Sequence, residues 1–145
     1  DWSSDVCSSD LQFKNYFDFI SCFSLIEHTH NPFRASENLF RLLKPGGFIY
    51  GSAPFLFPRH SPDDLAYQDY FRFTRDSYAV LFPDARSIEL YPLRGRLSTS
   101  INVLSLKYRF IFEKRFRLLS HSLSRVLSTG KHSLNASGYG FVILK

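Results

Sequence analysis

Residues 16–53, YFDFISCFSLIEHTHNPFRASENLFRLLKPGGFIYGSA, decide the fold. Tyr16–Phe23 is a short apolar, aromatic run, the pattern of a strand buried on both faces. A helix is predicted to follow. Asn31 can cap it, Pro32 suits its first position, and Phe33, Glu37, Phe40 and Leu43, or Leu39 and Leu42, recur at helical spacing. Pro45-Gly46-Gly47 stops it, because Pro cannot continue the hydrogen-bond ladder and Gly accepts a left-handed backbone. Phe48–Ala53 then reads as a second buried strand.

Beyond this unit the alternation continues. A loop rich in Pro and aromatic residues runs from Pro54 to Phe73. Thr74, with Ser77, is predicted to cap a helix reaching about Leu81. Ser87–Tyr91 reads as a third strand, Ser98–Ser128 as mostly helical in two pieces, and Tyr139–Leu144 as a closing strand. Strand–helix–strand units in series predict an α/β fold, a parallel sheet with helices on its faces. There is no internal repeat.

Composition narrows the class. The 145 residues are about one domain. They are 44% hydrophobic and 21% charged, with sixteen Phe and eight Tyr, which argues against disorder and supplies a core. No apolar run is long enough for a membrane-spanning helix. Cys7 and Cys22 alone make neither a disulfide framework nor a four-ligand zinc site, and a reducing, cytoplasmic setting is expected. Residues 1–11, DWSSDVCSSDL, show no periodicity, no basic n-region and no apolar h-region, so they are not a signal peptide. They resemble translated sequencing-adapter sequence and are expected to be a non-native scar before a partial domain over 12–145. Without Asp1, Asp5 and Asp10 the net charge of +5 becomes +8. Lys107, Arg109, Lys114, Arg115, Arg117, Arg125 and Lys131 face only Glu113 between residues 100 and 132. Such a segment suits a solvated helical face, and the alternative is a basic module touching an anionic membrane or nucleic acid without catalysis. The stripe Leu104, Tyr108, Ile111, Phe112, Leu119, Leu123 and Val126 fits a helix covering the sheet, and no known nucleic-acid module is apparent.

Four motifs in order carry a resemblance. FDFISCFSLIEH (17–28), Asn31-Pro32, and Arg41-Leu-Leu-Lys-Pro-Gly-Gly47 resemble the second half of class I S-adenosylmethionine-dependent methyltransferases, with Ile26 where Leu is usual. The loop His60…Asp69-Tyr-Phe-Arg-Phe-Thr74 resembles a subgroup of the same family. The resemblance is close over 16–92 and topological over 93–145. It implies strands four to seven of a Rossmann-like seven-stranded fold of order 3-2-1-4-5-7-6, truncated on the N-terminal side, with S-adenosylmethionine as cofactor. The family's Gly-rich turn and ribose-binding acid have no counterpart here, since Lys44-Pro-Gly-Gly47 follows a helix instead of preceding one. The chain alone is therefore expected to be inactive, with an exposed edge on its first strand.

The resemblance also implies roles. Phe23, Ser24, Leu25 and His28 would line the methionine side of the cofactor pocket, at the carboxyl edge where open α/β sheets bind ligands. His28 could equally only fix its turn. His60 is the best candidate base, on a long loop at the same edge, and Tyr70 and Arg72 would meet a small-molecule, sugar or lipid-linked acceptor. Against this, Asp69 and Arg72 could simply pair to hold the loop while Tyr70 and Phe73 plug into the core. His28-x-His30 has no third ligand nearby in sequence, so no metal is expected. Asp18, at the far end of its strand, reads as structural.

Overall fold

The computed structural model describes residues 13–60, 68–94, 99–100 and 136–145. The adapter-like residues 1–11 and all of the 98–128 segment except Thr99 and Ser100 lie outside them. Four strands are present among the described residues: β1 (Phe17–Phe23), β2 (Leu43–Pro54), β3 (Ser87–Leu93) and β4 (Gly138–Leu144). Helix α1 (Pro32–Leu42) connects β1 to β2 after a 3-10 turn at Ile26–His28, and the short α2 (Ser77–Leu81) precedes β3. No helix among the described residues is long and apolar enough to cross a membrane.

Local chemistry sets these bounds. Asn31 caps α1 as expected, its side chain accepting from the Arg34 N–H at 3.0 Å, with Pro32 in the first turn. The helix stops at Leu42 and the strand starts at Leu43, two residues before Pro45. Proline excludes the helical region for the residue before it, so Lys44 is extended and the turn ends early. Gly46 takes φ +81° and donates its N–H to the Lys145 carbonyl at 3.1 Å. Thr74 does not cap α2. Asp76 holds that position without a side-chain bond, and Thr74 instead pairs its N–H and hydroxyl with Ser77 Oγ just upstream.

The sheet order is β1-β2-β4-β3, the 4-5-7-6 half of the family order. It is not wholly parallel. β1 and β2 run parallel, whereas β4 is antiparallel to both of its neighbours, β2 and β3. Strand direction leaves no trace in a period-two pattern, which is why the sequence could not show the reversal. Gly51 marks the tightest approach: a Cβ there would lie 1.8 Å from the Cys22 carbonyl oxygen and 2.8 Å from the Phe141 ring.

One face of the sheet carries the core. Cys22, Leu43, Ile49, Ala53, Phe141 and Ile143 meet Ile26, Phe73, Tyr78, Leu81 and Phe82 there. The composition of β1 and β2 predicts strands buried on both faces, but each is buried on one face only. Phe19, Phe23, Phe48 and Tyr50 are exposed on the opposite side, where Phe19 stacks on Phe48 and Phe23 meets Tyr50 edge-on. Both faces are apolar, but the described helices cover only one. In α1 the buried positions are Pro32, Ala35, Ser36 and Asn38, while Phe33 is 57% exposed. Small residues let the helix lie close to its neighbours, so the bulky Phe33 turns outward.

Candidate functional site

At the carboxyl ends of β1 and β2 the sheet opens into a cavity of about 650 Å³. Ser24, His28, Ser52–Pro54, Phe57, His60, Leu93, Arg94, Ser137 and Gly138 line it. Hydroxyls alternate with apolar surface, and the volume falls within the small-molecule range. Ser24 and Arg94 both carry positive φ, +46° and +61°. Such backbones cost about 1–3 kcal/mol in non-glycine residues and gather at functional sites. Ser24 is held there by its N–H donating to the Ser52 carbonyl at 2.8 Å.

The loop after β2 folds back over the 3-10 turn. Tyr70 and Phe71 donate their N–H groups to the Glu27 carbonyl, and Phe73 donates to Pro54 O. Arg72 clamps this arrangement. Its guanidinium grips Asp69 through both terminal nitrogens and also donates to the Phe57, Pro58 and Phe71 carbonyls. Those hydrogen bonds from Arg72 hold the Asp69 carboxyl down at about 2, against the opposing effect of burial. Asp69 Oδ2 in turn accepts the His60 backbone N–H at 3.1 Å and lies 3.2 Å from His60 Nδ1.

His60 thus comes to stand over the Glu27–His28 pair, its ring 5.1 Å from that of His28 and nearly perpendicular. His28 Nδ1 donates to the Gln68 carbonyl at 2.8 Å, since a carbonyl can only accept. His28 Nε2 lies 3.8 Å from Glu27 Oε1, and His60 Nε2 lies 4.0 Å from the same oxygen. The Glu27 side chain is fully buried, and neither carboxylate oxygen has a hydrogen-bond partner. Burial raises its pKa, opposed first by the residue's own backbone N–H and then by His28, with Asp69 adding to the rise. Nearby, burial pushes the Cys22 thiol up to about 12, with Glu27 adding to it, so this buried thiol is inert at neutral pH.

The residues singled out in the sequence divide cleanly. Ser24, His28 and His60 meet at the cavity. Phe23 points to the exposed face against Tyr50, and Leu25 packs on the core. Arg72 acts on the loop through Asp69. Tyr70 does not plug into the core. It is exposed and its hydroxyl bonds His30 Nε2, whereas Phe73 is buried as expected. Asp18 forms an exposed pair with Lys44 at 2.9 Å, away from the cavity. Sequence reasoning passed over Phe57, Arg94 and Glu27. For Glu27 the signal was a lone acid following an apolar strand in SLIEH, and for Arg94 a cation just past the end of a strand.

A methyltransferase-domain family model matches residues 3–93. The chain belongs to that family, and its half-sheet has the Rossmann-like class I fold of S-adenosylmethionine-dependent methyltransferases. Phosphoethanolamine N-methyltransferase 2 of Haemonchus contortus, in complex with S-adenosyl-L-methionine, is similar at TM-score 0.54 and 15% identity, over 91% of this chain and 34% of that one. A SAM-dependent methyltransferase from Archaeoglobus fulgidus is similar at TM-score 0.54 and 11% identity, over 100% and 65%. A complex of the Haloferax volcanii Trm112 methyltransferase activator with a methyltransferase gives TM-score 0.54 and 15% identity, over 94% and 57%. The chain therefore spans between about a third and two thirds of these chains' lengths. No curated protein sequence matches it. S-adenosylmethionine is the cofactor of the family.

Proposed function

We propose that the chain supplies the carboxyl-terminal half of a methyltransferase that passes a methyl group from S-adenosylmethionine to an oxygen or nitrogen of a small-molecule, sugar or lipid-linked acceptor. The observation that carries this reading is the cavity at the carboxyl edge, with an oriented imidazole on its wall. The cofactor's methionine side suits this wall. Ser24, Ser52 and Ser137 offer hydroxyls for polar groups, and Ala53, Pro54 and Leu93 offer apolar surface. When bound, the cofactor supplies an activated methyl group. This chain's residues then have two tasks, to align the acceptor and to take its proton. His60 suits the second. Asp69 stands beside Nδ1 and favours the proton there, leaving the Nε2 lone pair as the acceptor. Arg72 keeps Asp69 ionised and so positions His60 through it.

No Gly-x-Gly-x-Gly turn occurs in the 145 residues, and such a turn is what lets a backbone close on an adenosine-bearing ligand. The isolated chain is therefore inactive and does not hold S-adenosylmethionine at micromolar affinity. The test is calorimetry and turnover on a full methyltransferase domain containing this half. Ser52→Leu, which projects into the cavity, should weaken cofactor binding by at least about tenfold, a few methylene contacts' worth. His60→Gln should leave that affinity intact and lower kcat by about 10²-fold or more. Unchanged turnover in His60→Gln, or micromolar binding by the 145-residue chain alone, would overturn the reading.

A further inference from the structure

We infer that Glu27, His28 and His60 form a site for one divalent first-row transition cation of the zinc type, opening onto the cavity. The three side chains offer one carboxylate oxygen and two imidazole nitrogens, all within 4.8 Å of one another. Both Nε2 atoms face the same Glu27 oxygen, at 3.8 and 4.0 Å. That separation is too long for a hydrogen bond. It is close to what a shared cation needs. With zinc-like bonds of about 2.0–2.2 Å, neighbouring ligand atoms stand roughly 3.3 Å apart. The two nitrogen–oxygen pairs need close by only about half an ångström, within reach of a small Glu27 side-chain rotation, and the two imidazole nitrogens, within 4.8 Å of each other, need swing together by up to about 1.5 Å.

The surroundings resemble the outer shell of a metal centre. A ligating histidine typically donates its other ring N–H to a carbonyl or carboxylate, which fixes the tautomer and aims the free lone pair. His28 Nδ1 has the Gln68 carbonyl at 2.8 Å, and His60 Nδ1 has the Asp69 carboxylate at 3.2 Å. Both Nε2 lone pairs are thereby turned toward Glu27. Asp69 is itself held by Arg72, as outer-shell carboxylates commonly are.

Glu27 gives an independent indication. A fully buried carboxylate with neither oxygen hydrogen-bonded is costly in a folded chain. A protonated histidine is no remedy at 3.8 Å or more, because an ion pair of that length lacks the hydrogen bond that offsets desolvation. A cation would compensate the buried charge and both imidazoles at once. Two imidazoles and one carboxylate suit zinc or iron rather than calcium or magnesium. His28 and His60 also line the cavity, so three protein ligands leave a coordination position facing it, the layout of a reactive centre instead of a closed structural one. With a cation bound, the His60 Nε2 lone pair is engaged and no longer takes the acceptor's proton; the cation would polarise the acceptor oxygen and lower its pKa instead.

The site can be read without methyl transfer, using the 145-residue chain and the metal alone. Calorimetric titration with Zn²⁺ near pH 7.5 should give one ion per chain, and Co²⁺ should develop visible ligand-field absorption. Glu27→Gln and His60→Ala should each weaken Zn²⁺ binding by at least about 100-fold, and Asp69→Asn by about 10–100-fold, as outer-shell losses do. Glu27→Gln removes an uncompensated buried charge, so its apo form should be at least as stable as the parent by circular dichroism, which separates loss of the ligand from loss of the fold. His30→Ala should bind as the parent does. Absence of stoichiometric uptake at about 100-fold excess Zn²⁺ would overturn the inference. So would binding that survives both Glu27→Gln and His60→Ala, or binding that needs His30 and not His60, which would assign it to the exposed His28-x-His30 pair. A failed cofactor titration would leave these outcomes untouched.

Discussion

Replacing Arg72 by Ala should unfasten the loop that carries His60. Arg72 contributes a two-pronged grip on Asp69 and three bonds to the Phe57, Pro58 and Phe71 carbonyls. The Asp69 side chain is fully buried and that of Arg72 is 26% exposed. Exposed ion pairs contribute under about 1 kcal/mol, whereas stripping one partner from a buried pair costs about 3–5 kcal/mol. The partial exposure of Arg72 sets the expectation between them, at about 2–3 kcal/mol. With a urea slope of about 1–3 kcal/mol per molar, the midpoint should fall by about 0.7–3 M. Arg72→Lys should recover less than half of the loss, because an ammonium lacks the planar fork that grips both carboxylate oxygens. Acid adds a second arm. The folded-state pKa of Asp69 is lowered from 3.8 to about 2, so its stabilisation is complete above the unfolded value and lost as pH falls through the folded one. Roughly half should be gone by pH 3. The deficit of Arg72→Ala against the parent should therefore shrink between pH 5 and pH 2. A deficit under about 0.5 kcal/mol at pH 7, the scatter of neutral surface changes, would refute the reasoning. So would one that stays constant down to pH 2.

Three further outcomes are expected from urea or thermal unfolding. Gly51→Ala forces a methyl against the Cys22 carbonyl and the Phe141 ring and should destabilise by about 3 kcal/mol or more, the upper end for overpacking, since a backbone must move. Asn31→Ala removes the α1 cap and should cost about 1 kcal/mol, with Asn31→Asp restoring it. Lys145 Nζ donates to the Phe40 and Leu43 carbonyls at the end of α1, both at 2.7 Å, and lies 5.3 Å from the Phe40 ring centre. Lys145→Ala should cost about 1–2 kcal/mol, in the range for charge-assisted bonds, and amide exchange should quicken most in the last turn of α1.

Much of the framework was legible because its signals are local. Asn31-Pro32 opens α1 and Lys44-Pro45-Gly46-Gly47 closes it, each within a few residues of the end it sets, and Ser87 and Gly138 stand within a residue of the expected strand starts. What escaped depends on distant partners. Whether Phe19 and Tyr50 are covered is decided by what lies above the sheet, not by their own alternation. The left-handed turn at Ser24 is held from Ser52, 28 residues away, and nothing in a serine announces it. At the site, His28 and His60 were each noticeable by type. That they converge on Glu27 depends on Asp69 and Arg72 drawing the loop back, a closure that spacing along the chain does not encode.

The placement of β4 between β2 and β3 has a consequence for synthesis. Among the described strands, the one that joins the sheet's two sides comes last in sequence. Until Gly138–Leu144 leaves the ribosome, β3 has no described strand to pair with, and its partners' registers, Leu90 with Phe141 and Gly51 with Phe141, remain unmade. The β1–α1–β2 unit can form as the chain emerges, but β3 must wait while the next 44 residues are made. At typical elongation rates of about 5–20 residues per second, that wait is a few seconds. During it, the edges of β2 and β3 that β4 later pairs have no partner among the described strands, and unpaired edges invite other chains. Slowing translation just before residue 138 should therefore lower the soluble yield, and a chaperone that holds unpaired strands should restore it.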